Sequence, residues 1–200
     1  MWPSDEELNA KMFIRLKNTT FVPTIIISLI AVVWCYYVLE ERIELLRAIV
    51  LIVFMNIIST INYYEDIIPD KINLLLGATG LVSNLTTGMV SIPSMIGGIL
   101  IGGGSLYLVA VIYEIMTKRE GLGGGVIKYC AALGLWLGIG GIALTILYAF
   151  FLGILFGLII VPLCRIIRPK ASIQSVPADG FFSAGAFLTL LYGSQMISHF

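Results

Sequence analysis

Long apolar runs separated by short polar stretches organise this chain, and the lengths of the runs set its class. Residues 1 to 19 are polar, with Asp5, Glu6 and Glu7 ahead of Lys11, Arg15 and Lys17, and read as a cytoplasmic tail. Residues 20 to 200 read as one membrane domain. The runs 20 to 39, 45 to 64, 72 to 90 and 95 to 116 are each long enough to cross a hydrocarbon core of about 30 Å at a rise of about 1.5 Å per residue. From Val126 to Cys164 the chain is apolar for 39 residues. That is too long for one crossing and enough for two with a turn at Gly138-Ile139-Gly140-Gly141. A last run, 181 to 196, follows Asp179, which suits the N-cap of a helix. The pattern predicts an all-α polytopic membrane protein with about seven transmembrane helices.

Sidedness follows from the basic residues. Seven crossings put the N-terminal tail on the same side as the connections after the second, fourth and sixth spans. That side collects ten of the twelve Lys and Arg residues and leaves only Arg42 and Arg47 opposite, so the N-terminus is expected in the cytoplasm. A hydrophobic share of 58%, a charged share of 12% and a mean hydropathy of +0.99 exclude a soluble globular protein. The formal net charge is zero and no basic patch with interleaved aromatics appears, so nothing points to nucleic acid. Cys35, Cys130 and Cys164 sit singly in apolar runs, and the only histidine, His199, has no second ligand beside it. No metal site and no cofactor is expected. Within the spans, Gly98 and Gly102 are four residues apart and give one helix face that a neighbouring backbone can approach. Asn56 is expected to hydrogen-bond between helices, and Glu114 to pair with Lys118 one turn on.

A basic, polar turn at Lys118-Arg119-Glu120 runs through Gly121, Gly123, Gly124 and Gly125 straight into an apolar segment. Irregular backbone at the mouth of a membrane helix is tolerated only where protein or a water-filled cavity covers it, so close backbone approach is expected at these glycines. The order Glu-Gly-Leu-Gly-Gly-Gly, one residue, then Ile127-Lys128 and AALGLW resembles the type IV prepilin peptidases, membrane aspartic peptidases whose GxGD signature carries a catalytic aspartate. Ile61-Asn62, six residues, then Pro69-Asp70-Lys71-Ile72 is similar to the family's Ile-Asp, six residues, Pro-Asp or Pro-Asn. Val176-Pro177 to Gly185 resembles its Ile-Pro-Phe-Gly-Pro segment, with Ala178, Asp179 and Gly180 in place of the last three residues. The resemblance implies a peptidase-type core in a prokaryotic cytoplasmic (inner) membrane, a site on the cytoplasmic side, and a role in type IV pilus assembly or protein secretion.

Both catalytic positions depart from the family: Asn62 stands where it carries its first aspartate, and Val126 at the aspartate of GxGD. An aspartic peptidase needs two carboxyls close enough to share a proton. Asn cannot titrate and Val can neither titrate nor hydrogen-bond, so no catalytic residue is intact. Neither Asn62→Asp nor Val126→Asp alone is expected to supply the pair. Asn62 itself reads either as a retained substrate-contacting group or as a helix cap. Asp66, Pro69, Asp70, Gly121, Gly123, Gly125 and Lys128 form the expected vicinity of the site. Glu65, Asp66, Asp70, Glu120 and Asp179 lie on the same side as replacement carboxylates, although loops at a wet interface would not obviously hold a close, desolvated pair.

The leading reading is a non-catalytic homologue, a pseudoenzyme that keeps the cavity between the second and fifth spans. It would bind a single membrane helix, such as a pilin-like signal segment or another secretion or pilus component. The second reading is an active aspartic endopeptidase that cleaves prepilin-like leaders with relocated carboxylates. A third is a structural membrane subunit without a substrate groove.

Overall fold

The computed structural model describes residues 21–39, 42–65, 67–118, 123–160, 162 and 178–197. These residues form α1 (Phe21–Val38), α2 (Arg42–Glu65), α3 (Asp70–Thr87), α4 (Ile92–Ile99), α5 (Ser105–Thr117), α6 (Gly124–Leu155) and α7 (Ala178–Ile197). No strand occurs among them. A π-helical turn, Leu100–Gly104, joins α4 to α5 without interruption, and a second, Phe156–Ile160, extends α6. Each helix falls within three residues of an apolar run, because a backbone in lipid must satisfy its own N–H and C=O groups. Among the described residues three segments are long and apolar enough to cross a membrane: Arg42–Tyr63, Ile92–Thr117 and Gly124–Ile159. The surface carries large apolar side chains such as Leu74, Leu100 and Met116, while Asn62, Asn73, Asn84, Thr145, Asp179 and Thr189 are buried. That inversion of the soluble pattern marks an integral membrane protein whose outer face meets lipid.

The expected division of the 39-residue apolar run is visible at Gly138, which has φ 69° and ψ −172° inside α6. Only glycine adopts that conformation readily. Contacts on either side show that the chain doubles back there. Along the α4 face, Gly98 lies against Gly134 and Gly138, whereas Gly102 lies against Cys130 and Ile142, so the two halves of α6 run in opposite directions past one neighbour. α7 repeats the pattern: Ser183 meets Tyr129 in the first half, while Thr189 and Gly185 meet Thr145 in the second. α7 therefore runs parallel to the first half of α6 and antiparallel to the second. Gly98 and Gly134 touch backbone to backbone, and a Cβ on either would collide with the other's carbonyl. The close approach expected from the Gly98–Gly102 spacing is used in full.

Two local expectations fail for physical reasons. Asn56 donates to the carbonyl of Ile52 in its own helix, at 2.7 Å, which satisfies the amide without a neighbour. Glu114 and Lys118 form no ion pair, because Lys118 turns left-handed at φ 55° and closes α5 with its N–H on the Glu114 carbonyl at 2.8 Å. The tail 1 to 19, Cys164 and His199 lie outside the described residues.

Candidate functional site

The last turns of α2 carry Ser59 and Asn62 on one face, three residues apart. Asn62 is buried, and its Nδ2 donates to Asp179 Oδ1 at 2.5 Å. Asp179 lies in the first turn of α7, one residue inside the helix, and is 1% exposed. It is neither an N-cap nor a loop acid at a wet interface. Burial against α2 removes it from water. Its Oδ2 has no hydrogen-bond partner among the described residues. One turn further along α7, Ser183 Oγ lies 3.3 Å from Ser59 Oγ and 2.8 Å from the Tyr129 hydroxyl, and Tyr129 is fully buried. The site therefore has two rungs, Asn62–Asp179 and Ser59–Ser183–Tyr129, and α7 contributes to both.

Val126 precedes Tyr129 by three residues on the same face of α6 and belongs to an apolar core that includes Met55, Ile58, Ile68 and Phe182. Tyr129, one turn after Val126, meets Ser183, one turn after Asp179, so α6 and α7 pack together through this stretch. Asn62 from α2 thus holds the Asp179 carboxyl, and Val126 from α6 shares its apolar cluster with Phe182, three residues beyond Asp179.

The neighbouring residues build the rim. Lys128 Nζ lies 2.8 and 2.7 Å from the two oxygens of Asp70, which ties the first turn of α6 to that of α3. Both side chains are more than half exposed, so the pair contributes at most about 1 kcal/mol. The Pro69 carbonyl accepts from the N–H groups of Ile72 and Asn73, and the Gly125 carbonyl accepts from Asn73 Nδ2 at 3.2 Å. A Cβ on Gly125 would stand 3.0 Å from Ile68 Cβ, so backbone does approach closely there. At Gly123 and Gly124 it does not: a Cβ would meet nothing within 4 Å, because the helix begins at Gly124 on an exposed edge. Asp66, Glu120 and Gly121 fall outside the described residues. Among the described residues no group of three metal-ligating side chains comes together.

Sequence reasoning singled out Asn62, Val126 and, as one of five acids, Asp179, and missed Ser183, Ser59 and Tyr129. Asp179 had one visible signal, an acid where the resembled segment is apolar. Chemically, the site offers one carboxyl, one amide and three hydroxyls. A single carboxyl cannot serve as base and acid in the same step.

The family model of the type IV leader peptidases matches residues 49–158, more than half of the chain. Asp179 lies beyond that stretch. Prepilin leader peptidase/N-methyltransferases are among the similar proteins. That of Neisseria gonorrhoeae is 33% identical over 109 residues, covering 54% of this chain and 38% of its own length. That of Klebsiella pneumoniae is 31% identical over 113 residues, covering 56% and 50%, and that of Aeromonas salmonicida is 26% identical over 151 residues, covering 76% and 50%. The chain thus spans about half or less of the length of these curated relatives. No solved structure matches it. With the family's motifs in order around a site shared by α2, α6 and α7, this chain belongs to the type IV leader peptidase family.

Proposed function

We propose that this membrane protein is a non-proteolytic leader peptidase homologue that holds, rather than cuts, a single apolar helix of the pilin-like or secretion-component type. The observation that supports the reading is the Asn62–Asp179 hydrogen bond together with the apolar Val126: the chemistry needs two carboxyls, and this cluster supplies one among the described residues. The relatives' name supplies the substrate class, a prepilin leader. The test is to incubate the purified chain with a synthetic prepilin-like leader peptide across a range of pH. Retention of the peptide without fragments is expected; two fragments by mass spectrometry would overturn the reading. The buried Asp179 favours a second reading, in which it acts as a relocated carboxyl with one further acid, and cleavage that disappears in Asp179→Asn would establish it.

The same reading carries seven crossings with the N-terminus in the cytoplasm, supported by the ten-to-two split of basic residues. Single cysteines at Lys118 and Glu44 in a cysteine-free variant should label from the cytoplasm and from outside, respectively. Labelling of both from one side would reject that topology.

A further inference from the structure

We infer that Asp179, brought in by α7, stands in for one of the two carboxyls of the leader peptidases, so that the chain holds half of a peptide-cleaving pair and Val126→Asp would complete it. For its substrate the inference rests on the functional reading above; for its geometry it does not.

Three observations lead there. Asp179 Oδ1 accepts the hydrogen bond of Asn62, the residue at the family's first aspartate position, so the carboxyl lies within one hydrogen bond of the place where an acid is missing. Asp179 Oδ2 is buried and has no hydrogen-bond partner among the described residues, which leaves an acceptor for a water or for an N–H of a bound segment. Tyr129, one turn after position 126, contacts Ser183, one turn after Asp179, and Val126 shares an apolar cluster with Phe182, three residues beyond Asp179. Position 126 is apolar, and among the described residues no second acid is hydrogen-bonded to Asp179. The unaltered site can accept a donor from a bound segment and go no further.

A carboxyl at position 126 would let the chemistry balance. One carboxylate takes a proton from water as the water oxygen bonds to the scissile carbonyl carbon, and the other carboxyl gives its proton to the carbonyl oxygen. In the resulting diol the first carboxyl returns its proton to the amide nitrogen, the C–N bond breaks, and the second recovers a proton from a diol hydroxyl. Acid and amine leave, and the pair is restored. On this inference the expectation that Val126→Asp alone stays inert reverses, with Asp179 as its partner; Asn62→Asp alone gains a neighbour in Asp179 but leaves position 126 empty of acid.

The experiment has a geometric arm and a chemical arm, both on the full chain. In a cysteine-free background, the pairs V126C/D179C and N62C/D179C should form oxidative cross-links, while L74C/D179C, with position 74 on the outer face, should not. Absence of the V126C/D179C link overturns the inference. In the chemical arm, Val126→Asp is treated with 1,2-epoxy-3-(p-nitrophenoxy)propane, whose ring opens when one carboxylate attacks carbon and a neighbouring carboxyl protonates the oxygen. Esterification at least tenfold above the unaltered chain is expected, with loss on adding Asp179→Asn. Cleavage of the leader peptide should follow the same dependence. If V126D is inert to both reagents while N62D/V126D/D179N cleaves the leader, Asp179 does not replace the family acid and the inference fails. If cross-links and esterification appear but no leader peptide is retained by the unaltered chain, the functional reading fails and the inference stands.

Discussion

Two buried polar clusters lie at opposite ends of α2, and they use their hydrogen bonds differently. At the Arg47 end, Asn84 Nδ2 donates to the carbonyls of Leu135 and Trp136 at 2.7 and 3.2 Å, and Arg47 donates to Asn84 Oδ1 and, at 3.4 Å, to the Trp136 carbonyl. Those carbonyls precede the Gly138 break, and in an unbroken helix Ile139 and Gly140 would supply their N–H partners. The Ile139 N–H instead donates to Ser94 Oγ at 3.1 Å. Every polar side chain there repairs backbone that the turn leaves unpaired. At the Asn62 end the bonds between Asn62 and Asp179 and among Ser59, Ser183 and Tyr129 run from side chain to side chain, and no broken helix requires them. Polar groups buried in a membrane are costly, so a cluster held by side-chain pairs away from any helix break points to chemistry or binding.

The contrast can be broken or sharpened by substitution. The largest effect is expected at Gly138→Val, where a side chain would meet Ser94 Oγ and Val90 in a backbone conformation reserved for glycine. A loss of about 3 kcal/mol or more should appear as a fall in folded protein on detergent unfolding. Asn84→Leu should cost about 2–3 kcal/mol by the same measurement, since two backbone carbonyls lose a donor that no second mutation at Arg47 can replace. Asp179→Leu should cost about 1–2 kcal/mol, because it orphans the Asn62 amide. Adding Asn62→Leu should bring stability back to within about 0.5 kcal/mol of the parent, as both partners are then apolar. If the Asn62/Asp179 double variant remained as damaged as the single one, the cluster would be structural and the contrast between the two ends would collapse. Ser94→Ala should show the smallest change, about 0.5–1 kcal/mol, through the Ile139 N–H alone.

Much of this architecture was legible because membrane helices declare themselves by length. The 39-residue run had to contain a reversal, and the glycines at its centre supplied the only plausible place. Gly98 and Gly102 were legible for a similar reason: a missing side chain is itself the packing signal. Asp179 was not legible in its role. Its position before an apolar run fits a cap equally well, and which face of α7 reaches Asn62 depends on the register set by Tyr129 and Ser183, a fact of tertiary packing. Arg47 counted only as one of two cations opposite the basic side, since a charge count cannot see that its guanidinium serves a turn 89 residues away.

The Asn62–Asp179 bond joins residues 117 positions apart, and Asp179 belongs to the last helix described. At a synthesis rate of about 5–20 residues per second, the Asn62 amide waits about 6–23 s for its partner to leave the ribosome. During that interval α2 and both halves of α6 can already be in place, with the flank of Asn62 open to whatever lies beside it in the bilayer. The arrival of α7 closes that window, so the composition of the site is decided late in biogenesis, and any segment competing for the Asn62 amide has its best opportunity before then.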